Sequence, residues 1–154
     1  MPSFDPTDRA ILTRLQTDGR IPNIDLADAV NLSPSACLRR LRALEQDGVI
    51  AGYRAELDRE KLGLQLTIFV QLRVNRHASE TKDRMEQMLT AIPAVVACYL
   101  ISGEADFLVE IAAPSLAAYE RILLDQLLAI PHVVDARSTF AIRTVKSRGP
   151  LPLP

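Results

Sequence analysis

A short repeat constrains the fold of this chain more than any other feature of its sequence. Residues 91–98 read AIPAVVAC and residues 129–136 read AIPHVVDA. In each copy a helical pattern of apolar residues ends at a proline, which cannot continue a helix, and a β-branched run typical of a strand follows. A further strand-like run precedes each helix, at 66–74 and at 107–113. The sequence therefore predicts the order β-α-β-β-α-β, a ferredoxin-like arrangement of two βαβ units.

Apolar periodicity gives the other boundaries of this half. Strands are expected at 94–101 and 133–145, and Ser79 and Ser115 are expected to cap the two helices. The turn at 102–106, SGEAD, joins the two copies of the repeat. The apolar stripe of the first of these helices should face the core and comprises Met85, Met88, Leu89 and Ile92.

The first fifty residues have helical periodicity throughout. Asp5 fits the N-cap of a first helix, with Pro6 in its first turn. Asn23 should cap a short second helix, and Asn31 fits the left-handed turn after it. Ser33 should cap the third helix. Three short helices with a tight turn between the second and third are typical of a DNA-binding helix-turn-helix.

The third helix combines an apolar side with a side suited to a DNA groove. At about 100° per residue, its apolar side comprises Cys37, Leu38, Leu41 and Leu44. On the opposite side, small residues would allow close approach, and arginines would reach guanine edges or phosphates. Arginines on an amphipathic helix are also typical of a merely solvated face. The predicted DNA-binding residues are Ser33, Ser35, Ala36, Arg39, Arg40 and Arg42.

Charge and composition narrow the classes of function. The formal net charge is −1, and residues 1–63 hold nine Lys or Arg against ten Asp or Glu. Because phosphate neutralisation supplies much of DNA affinity, we expect a dimer or larger assembly that binds paired half-sites. Neither a membrane-spanning run nor a signal-peptide pattern is apparent. The two cysteines lie in apolar runs, as expected for reduced thiols of a cytoplasmic protein, and neither a metal nor a cofactor is predicted.

Specific segments of the chain resemble one known family. They are LQTDGRIPNIDLADAVNLSPSACLRRLRALEQDGVIAGYRAELD in the first half, and GEADF, YERILLDQLLAIPHV and STFAIRTVK in the second. In combination they resemble the Lrp/AsnC transcription regulators of bacteria and archaea, over nearly the whole chain from about Asp5 to Lys146. The predicted domains are a winged-helix-like helix-turn-helix at 1–52, a ribbon and connector at 53–65, a ferredoxin-like domain at 66–146 and a tail at 147–154.

The resemblance implies a homo-oligomer that responds to a small effector. Family members pair through the ribbon and the sheets, dimers associate into tetramers or octamers, and an amino acid usually binds between subunits at the turn that corresponds to GEADF. An amino acid also suits this turn chemically, because a glycine admits close approach, a hydroxyl can bind a carboxylate, and an acid can hold an ammonium. Glycine and acids are equally common in turns that bind nothing. The predicted effector-binding residues are Ser102, Gly103, Glu104, Ala105, Asp106 and Thr139.

One enzymatic alternative has the same two-domain layout. Some haem-biosynthesis decarboxylases share it, but their chemistry needs cationic and acid–base groups that converge on a tetrapyrrole. The second half of this chain has two histidines and no tryptophan, and no such cluster is apparent. The sequence therefore favours a DNA-binding regulator that is not an enzyme.

Overall fold

A computed structural model describes residues 4–75, 81–147 and 149–154, without the side chains of residues 81 and 82. The chain forms two compact units. The first comprises Met1–Glu56 together with Lys146–Pro154, and the second comprises Leu57–Val145.

Three helices form the first unit: α1 (Pro6–Thr17), α2 (Asn23–Ala29) and α3 (Pro34–Gln46). Two predicted caps are confirmed, because Asp5 accepts a hydrogen bond from the Asp8 N–H at 2.8 Å and Ser33 accepts one from the Ala36 N–H at 3.3 Å. Asn31 has the expected positive φ of 55°. The core of this unit comprises Ile11, Leu12, Leu26, Ala27, Cys37 and Leu44.

The cap predicted for α2 is wrong. Asn23 is the first helical residue and Pro22 occupies the cap position without a side-chain hydrogen bond. The Asn23 side chain is directed elsewhere: its Nδ2 donates to the carbonyl of Pro34 at 2.9 Å. Asn23 therefore links the beginnings of α2 and α3.

A four-stranded antiparallel sheet forms the second unit, with the order β2-β3-β1-β4. Its strands are β1 (Leu66–Val74), β2 (Val95–Leu100), β3 (Phe107–Ala113) and β4 (Val133–Phe140). Helix α4 (Thr81–Thr90) follows β1, and α5 (Leu116–Arg121) follows β3 and continues as a π-helical segment, Ile122–Leu127. This is the predicted β-α-β-β-α-β order.

Two details differ from the expectations. β4 ends at Phe140 rather than at 145, because its ladder with β1 ends at the pair Ile68 and Phe140. The last turns of the helix that follows β3 are π-helical, as in the 2.9 Å bond from the Leu128 N–H to the Leu123 carbonyl. The ribbon expected after α3 forms no ladder within the described part of this single chain, and its pairing with another subunit stays a prediction. The predicted cap Ser79 lies outside the described residues, whereas Ser115 caps α5 as expected.

Among the described residues, helices cover only one face of the sheet. Alternate residues of β1, such as Val70, are fully buried against α4, α5 and the π-helical segment, and Met85 and Leu89 belong to that core as predicted. The other face, called the open face below, carries Phe69, which is 37% exposed. From the connector before β1, Arg59 binds to this face, donating to Thr67 Oγ1 at 3.0 Å and to Glu110 Oε1 at 2.7 Å.

An ion-pair cluster joins α1 to α3. Arg40 Nη1 lies 2.6 Å from Asp5 Oδ2 and 2.8 Å from Asp8 Oδ1. The hydrogen bond from the Asp8 N–H and then the one from Arg40 hold the pKa of Asp5 below its ordinary value of 3.8. Since the folded state then takes up its proton at lower pH than the unfolded chain does, this stabilisation is complete well above pH 3.8 and is lost as the pH falls below it.

We predict that Arg40→Met lowers the unfolding temperature of the first unit at pH 7, because two carboxylates lose their shared cation. The loss should be smaller at pH 3, because the stabilisation that depends on the lowered pKa of Asp5 is lost as the pH falls below 3.8. Arg42→Met is the matched control, because Arg42 is exposed on the same helix and makes no ion pair with the described residues. Circular dichroism melts of the three proteins at both pH values measure the effect; equal unfolding temperatures for the two variants at pH 7 would contradict it.

Candidate DNA-binding and effector-binding sites

The outer face of α3 presents most of the residues predicted to bind DNA. Ser33, Ser35, Arg39 and Arg42 are exposed, and Ala36 is half-buried. Arg39 and Arg42 make no hydrogen bond or ion pair to any residue that the structure describes. Their guanidinium groups are therefore available for phosphates or base edges, and the small residues at the start of α3 leave room for close approach.

Arg40 is placed differently from the other two arginines of α3. Its guanidinium is held by the two carboxylates of α1, and its side chain is 36% exposed. A contact from Arg40 to DNA would have to compete with these ion pairs. Its geometry is that of a residue that positions α3, and its direct contact with DNA stays a prediction.

The turn between α2 and α3 is fixed by backbone and side-chain bonds. The Leu32 N–H donates to the Ala27 carbonyl at 2.9 Å, across the left-handed Asn31. The bond from Asn23 to the Pro34 carbonyl closes the same corner. These contacts set the angle at which the start of α3 is presented.

The turn between β2 and β3, called the hairpin below, is also tightly closed. The Ile101 N–H donates to the Asp106 carbonyl at 2.9 Å, and Gly103 has a φ of 124°. A Cβ atom at Gly103 would meet nothing within 4 Å, so backbone conformation, not space, requires glycine there. Ser102, Gly103 and Glu104 are exposed, and Ala105 is buried.

Asp106 is an anchor of the hairpin. Its side chain is buried, and its Oδ2 accepts a hydrogen bond from the Val74 N–H at 2.9 Å. Its own N–H donates to the Leu72 carbonyl at 2.9 Å. Both bonds are made to the end of β1, so Asp106 fixes the hairpin to the neighbouring strand. Sequence reasoning assigned Asp106 to an ammonium group and missed this structural role.

A cavity of about 370 Å³ lies beside the hairpin, at one end of the open face. It includes only two of the residues predicted for the effector, Glu104 and Ala105. Ser102, Gly103 and Thr139 are not among its lining residues. Thr139 pairs with Phe69, two residue pairs along the β1–β4 ladder from Gln71 and Arg137. The complete lining comprises Gln71, Arg73, Glu104, Ala105, Asp135 and Arg137.

The cavity holds charges of both signs in close contact. Arg137 Nη1 lies 3.5 Å from Glu104 Oε2, and Arg137 Nε lies 3.3 Å from Asp135 Oδ2. Arg73 is paired across the ladder with Asp135 and adds a second cation. Guanidinium groups bind carboxylates, and carboxylates bind ammonium groups. The arrangement can therefore accept a small zwitterion by exchanging internal ion pairs for pairs with the ligand.

The strand residues of this cavity were missed because they depend on register. Gln71 pairs with Arg137, and Arg73 with Asp135, across β1 and β4. Alternation along each strand could have placed these polar side chains on the face away from the core. The sequence alone does not show which residue of β4 lies opposite which residue of β1.

No group of three or more histidine, cysteine, aspartate or glutamate side chains that could hold a metal occurs among the described residues. Within those residues, no helix is long and apolar enough to cross a membrane.

Comparison with known proteins identifies the two domains of the chain. Residues 4–51 match a family model described as winged helix-turn-helix DNA-binding, and residues 67–151 match the Lrp/AsnC ligand binding domain. The leucine-responsive regulatory proteins of Escherichia coli (strain K12) and Klebsiella pneumoniae are each 37% identical to this chain over 148 residues, which is 96% of this chain and 90% of theirs.

Solved structures of regulators superpose over almost the entire chain. A transcriptional regulator of Neisseria meningitidis in complex with L-Met has a TM-score of 0.93 at 35% identity, covering 97% of both chains. An AsnC family transcriptional regulator from Agrobacterium tumefaciens has a TM-score of 0.92 at 36% identity, again covering 97% of both. Both halves of the chain and their order are thus those of one kind of protein, and the chain belongs to the Lrp/AsnC family of DNA-binding, ligand-binding transcriptional regulators.

Proposed function

We propose that this regulator binds DNA through the outer face of α3 and senses an amino acid at the cavity beside the hairpin. The observation that carries the proposal is the cavity, where two arginines and two carboxylates face one small volume. A zwitterion with a carboxylate and an ammonium group is the ligand class that this set of charges complements. The similar regulator of Neisseria meningitidis that was solved with L-Met supports the same class.

Arg39 and Arg42 supply the DNA contacts in this proposal. They are the exposed cations of α3, and the serines before them lie at the helix start, where residues approach base edges. The segment that holds them is not strongly basic, because residues 1–63 contain nine basic and ten acidic residues. One copy therefore gains little from phosphate neutralisation, which favours two or more copies acting on paired half-sites.

We predict that Arg39→Ala weakens binding to the promoter region of the protein's own gene by about 5- to 100-fold, the range expected for losing one arginine contact to a base. Arg14→Ala, which removes an exposed arginine from α1, is the control and should change affinity little. Fluorescence anisotropy at fixed salt measures both. Parent-like affinity of the Arg39 variant would contradict the assignment of α3.

The charges of the cavity suggest an orientation for the effector. We place its carboxylate at Arg137 and its ammonium group at Glu104, which are already paired with each other and both largely exposed. Asp106 contributes by fixing the hairpin, and Ser102 and Gly103, which do not line the cavity, contribute by forming the turn that carries Glu104. Thr139 remains a predicted contact from a neighbouring subunit.

We predict that Glu104→Gln reduces affinity for the effector about tenfold, because a neutral amide replaces the charged acceptor of an ammonium group. Folding should be unaffected, since Glu104 is exposed and its ion-pair partner, Arg137, is exposed as well. A thermal-shift screen of the parent chain against the twenty amino acids first identifies the effector, and calorimetry then compares variants. Asp125→Asn removes an exposed acid elsewhere in the same unit and is the control. Equal affinities for the two variants would contradict the proposed role of Glu104.

The open face is the surface through which we propose that two copies pair. It carries Phe69 and Tyr99, which are 37% and 56% exposed, beside the Arg59–Glu110 ion pair. An uncovered sheet face with exposed aromatic side chains is typical of an interface. A dimer formed there could associate further into tetramers or octamers, as the family resemblance implies. The cavity lies at one end of the same face, so effector binding could alter assembly.

We predict that Phe69→Glu converts the dimer to monomers, because a buried, unpaired carboxylate at the centre of an interface is costly. Leu116→Glu is the control, since Leu116 is 64% exposed on α5, away from the open face. Size-exclusion chromatography with light scattering reports the mass. A Phe69 variant that keeps the parent mass would show that the copies pair elsewhere.

A catalytic role has no observation in its favour. The relatives named above are regulators, and burial raises the pKa of both Cys37 and Cys98, which disfavours the thiolate. We therefore propose that the chain is a regulator and not a decarboxylase. A bacterial regulator of this kind acts where the chromosome is, so we also propose that it works in the cytoplasm.

A further inference from the structure

The proline-rich tail is used by neither the DNA-binding nor the effector-binding proposal. Residues 149–154 read GPLPLP, a pattern that favours an extended polyproline II conformation. In the structure the tail belongs to the same compact unit as α1, α2 and α3, although the whole sheet separates them in sequence. Residues 149–154 are called the strap below.

Gln16, near the end of α1, binds the backbone of the strap at Leu151. Its Nε2 donates to the Leu151 carbonyl at 3.2 Å, and its Oε1 accepts from the Leu151 N–H. A carboxamide offers both a donor and an acceptor, so one side chain can satisfy both polar groups of one peptide residue. Pro150 and Pro152 lack an N–H, which leaves Leu151 as the single residue of this triplet that can be bound in this way.

The two leucines of the strap play different roles. The Leu151 side chain is 74% exposed, so only its backbone is bound. The Leu153 side chain is partly buried and packs against the hydrophobic core of the three helices, as Leu15 and Ile21 also do. Backbone hydrogen bonds that hold an extended segment, combined with burial of alternate side chains, are one means by which proteins recognise extended peptides.

Helix α1 connects the strap to the DNA-binding helix. At its beginning, Asp5 and Asp8 hold Arg40 of α3, and at its other end Gln16 holds the strap. We propose that the three-helix unit carries a docking surface for a Pro-Leu-Pro segment, that its occupant is the chain's own C-terminal strap, and that docking supports DNA binding by holding α1 in place. In this proposal the strap contributes to DNA binding.

The matched substitutions Leu153→Ala and Leu151→Ala, made in the full chain, test this docking. Both remove the same atoms from leucines that lie two residues apart in the strap, but only Leu153 packs against the core. Hydrogen–deuterium exchange should be about fivefold faster in α1 for Leu153→Ala, and close to the parent rate for Leu151→Ala. Affinity for DNA of the protein's own promoter region should fall by a similar factor for Leu153→Ala alone. Equal exchange rates for the two variants would overturn the docking surface.

Removal of residues 149–154, with the peptide SRGPLPLP added back, tests recognition separately from covalent connection. The shortened chain should show the faster exchange and the weaker DNA binding, and the peptide at high concentration should reverse both. A peptide with Leu153→Ser should not reverse either. If the shortened chain keeps parental exchange, the docking surface is refuted; if its exchange rises while DNA affinity is unchanged, the role in DNA binding is refuted.

Discussion

The buried carboxylate of Asp106 is the interaction on which the geometry of the ligand-binding unit depends. Its bond to the Val74 N–H and the bond from its own N–H to the Leu72 carbonyl attach the hairpin to the end of β1. A buried acid is tolerated because it accepts hydrogen bonds from the backbone. The hairpin then cannot move independently of the sheet, so Glu104 is held above the polar end of β1 and β4. The cavity is thus a consequence of one anchored turn and one strand register.

Because helices pack against one face of the sheet, the open face is available as an interface. α4, α5 and the π-helical segment cover one face, and the alternation of side chains leaves Phe69, Gln71 and Arg73 on the other. A monomer would gain nothing from an exposed phenylalanine in that position, whereas an assembly would bury it. Arg59 brings a positive charge to this face, and the carboxylate of Glu110, 2.7 Å away, offsets that charge. The face is therefore apolar in part without carrying an unpaired buried charge.

Sequence reasoning succeeded where local rules decide the structure. The caps Asp5 and Ser33, the left-handed Asn31, and the order of strands and helices all follow from short-range chemistry or from the repeat. It failed where a side chain has a long-range choice. Asn23 bonds to α3 instead of capping its own helix. The ion pairs of Arg40 with the acids of α1 were not foreseen either, although its contact with DNA stays a prediction. The cavity side chains of β1 and β4 needed the register of two strands that are distant in sequence, which no single-strand pattern contains.

Helix α1 contributes to the three-helix core and also holds two other parts of the chain. Its first turn supplies the carboxylates that hold Arg40, and its last turn supplies the amide that holds Leu151. Both groups bind a part of the chain that comes much later in the sequence, so neither contact can stabilise α1 before those later parts are in place. In sequence, the DNA-binding unit therefore has one part before the ligand-binding unit and one part after it. Gln16 joins the two parts, because its side chain in α1 binds the backbone of Leu151 in the strap.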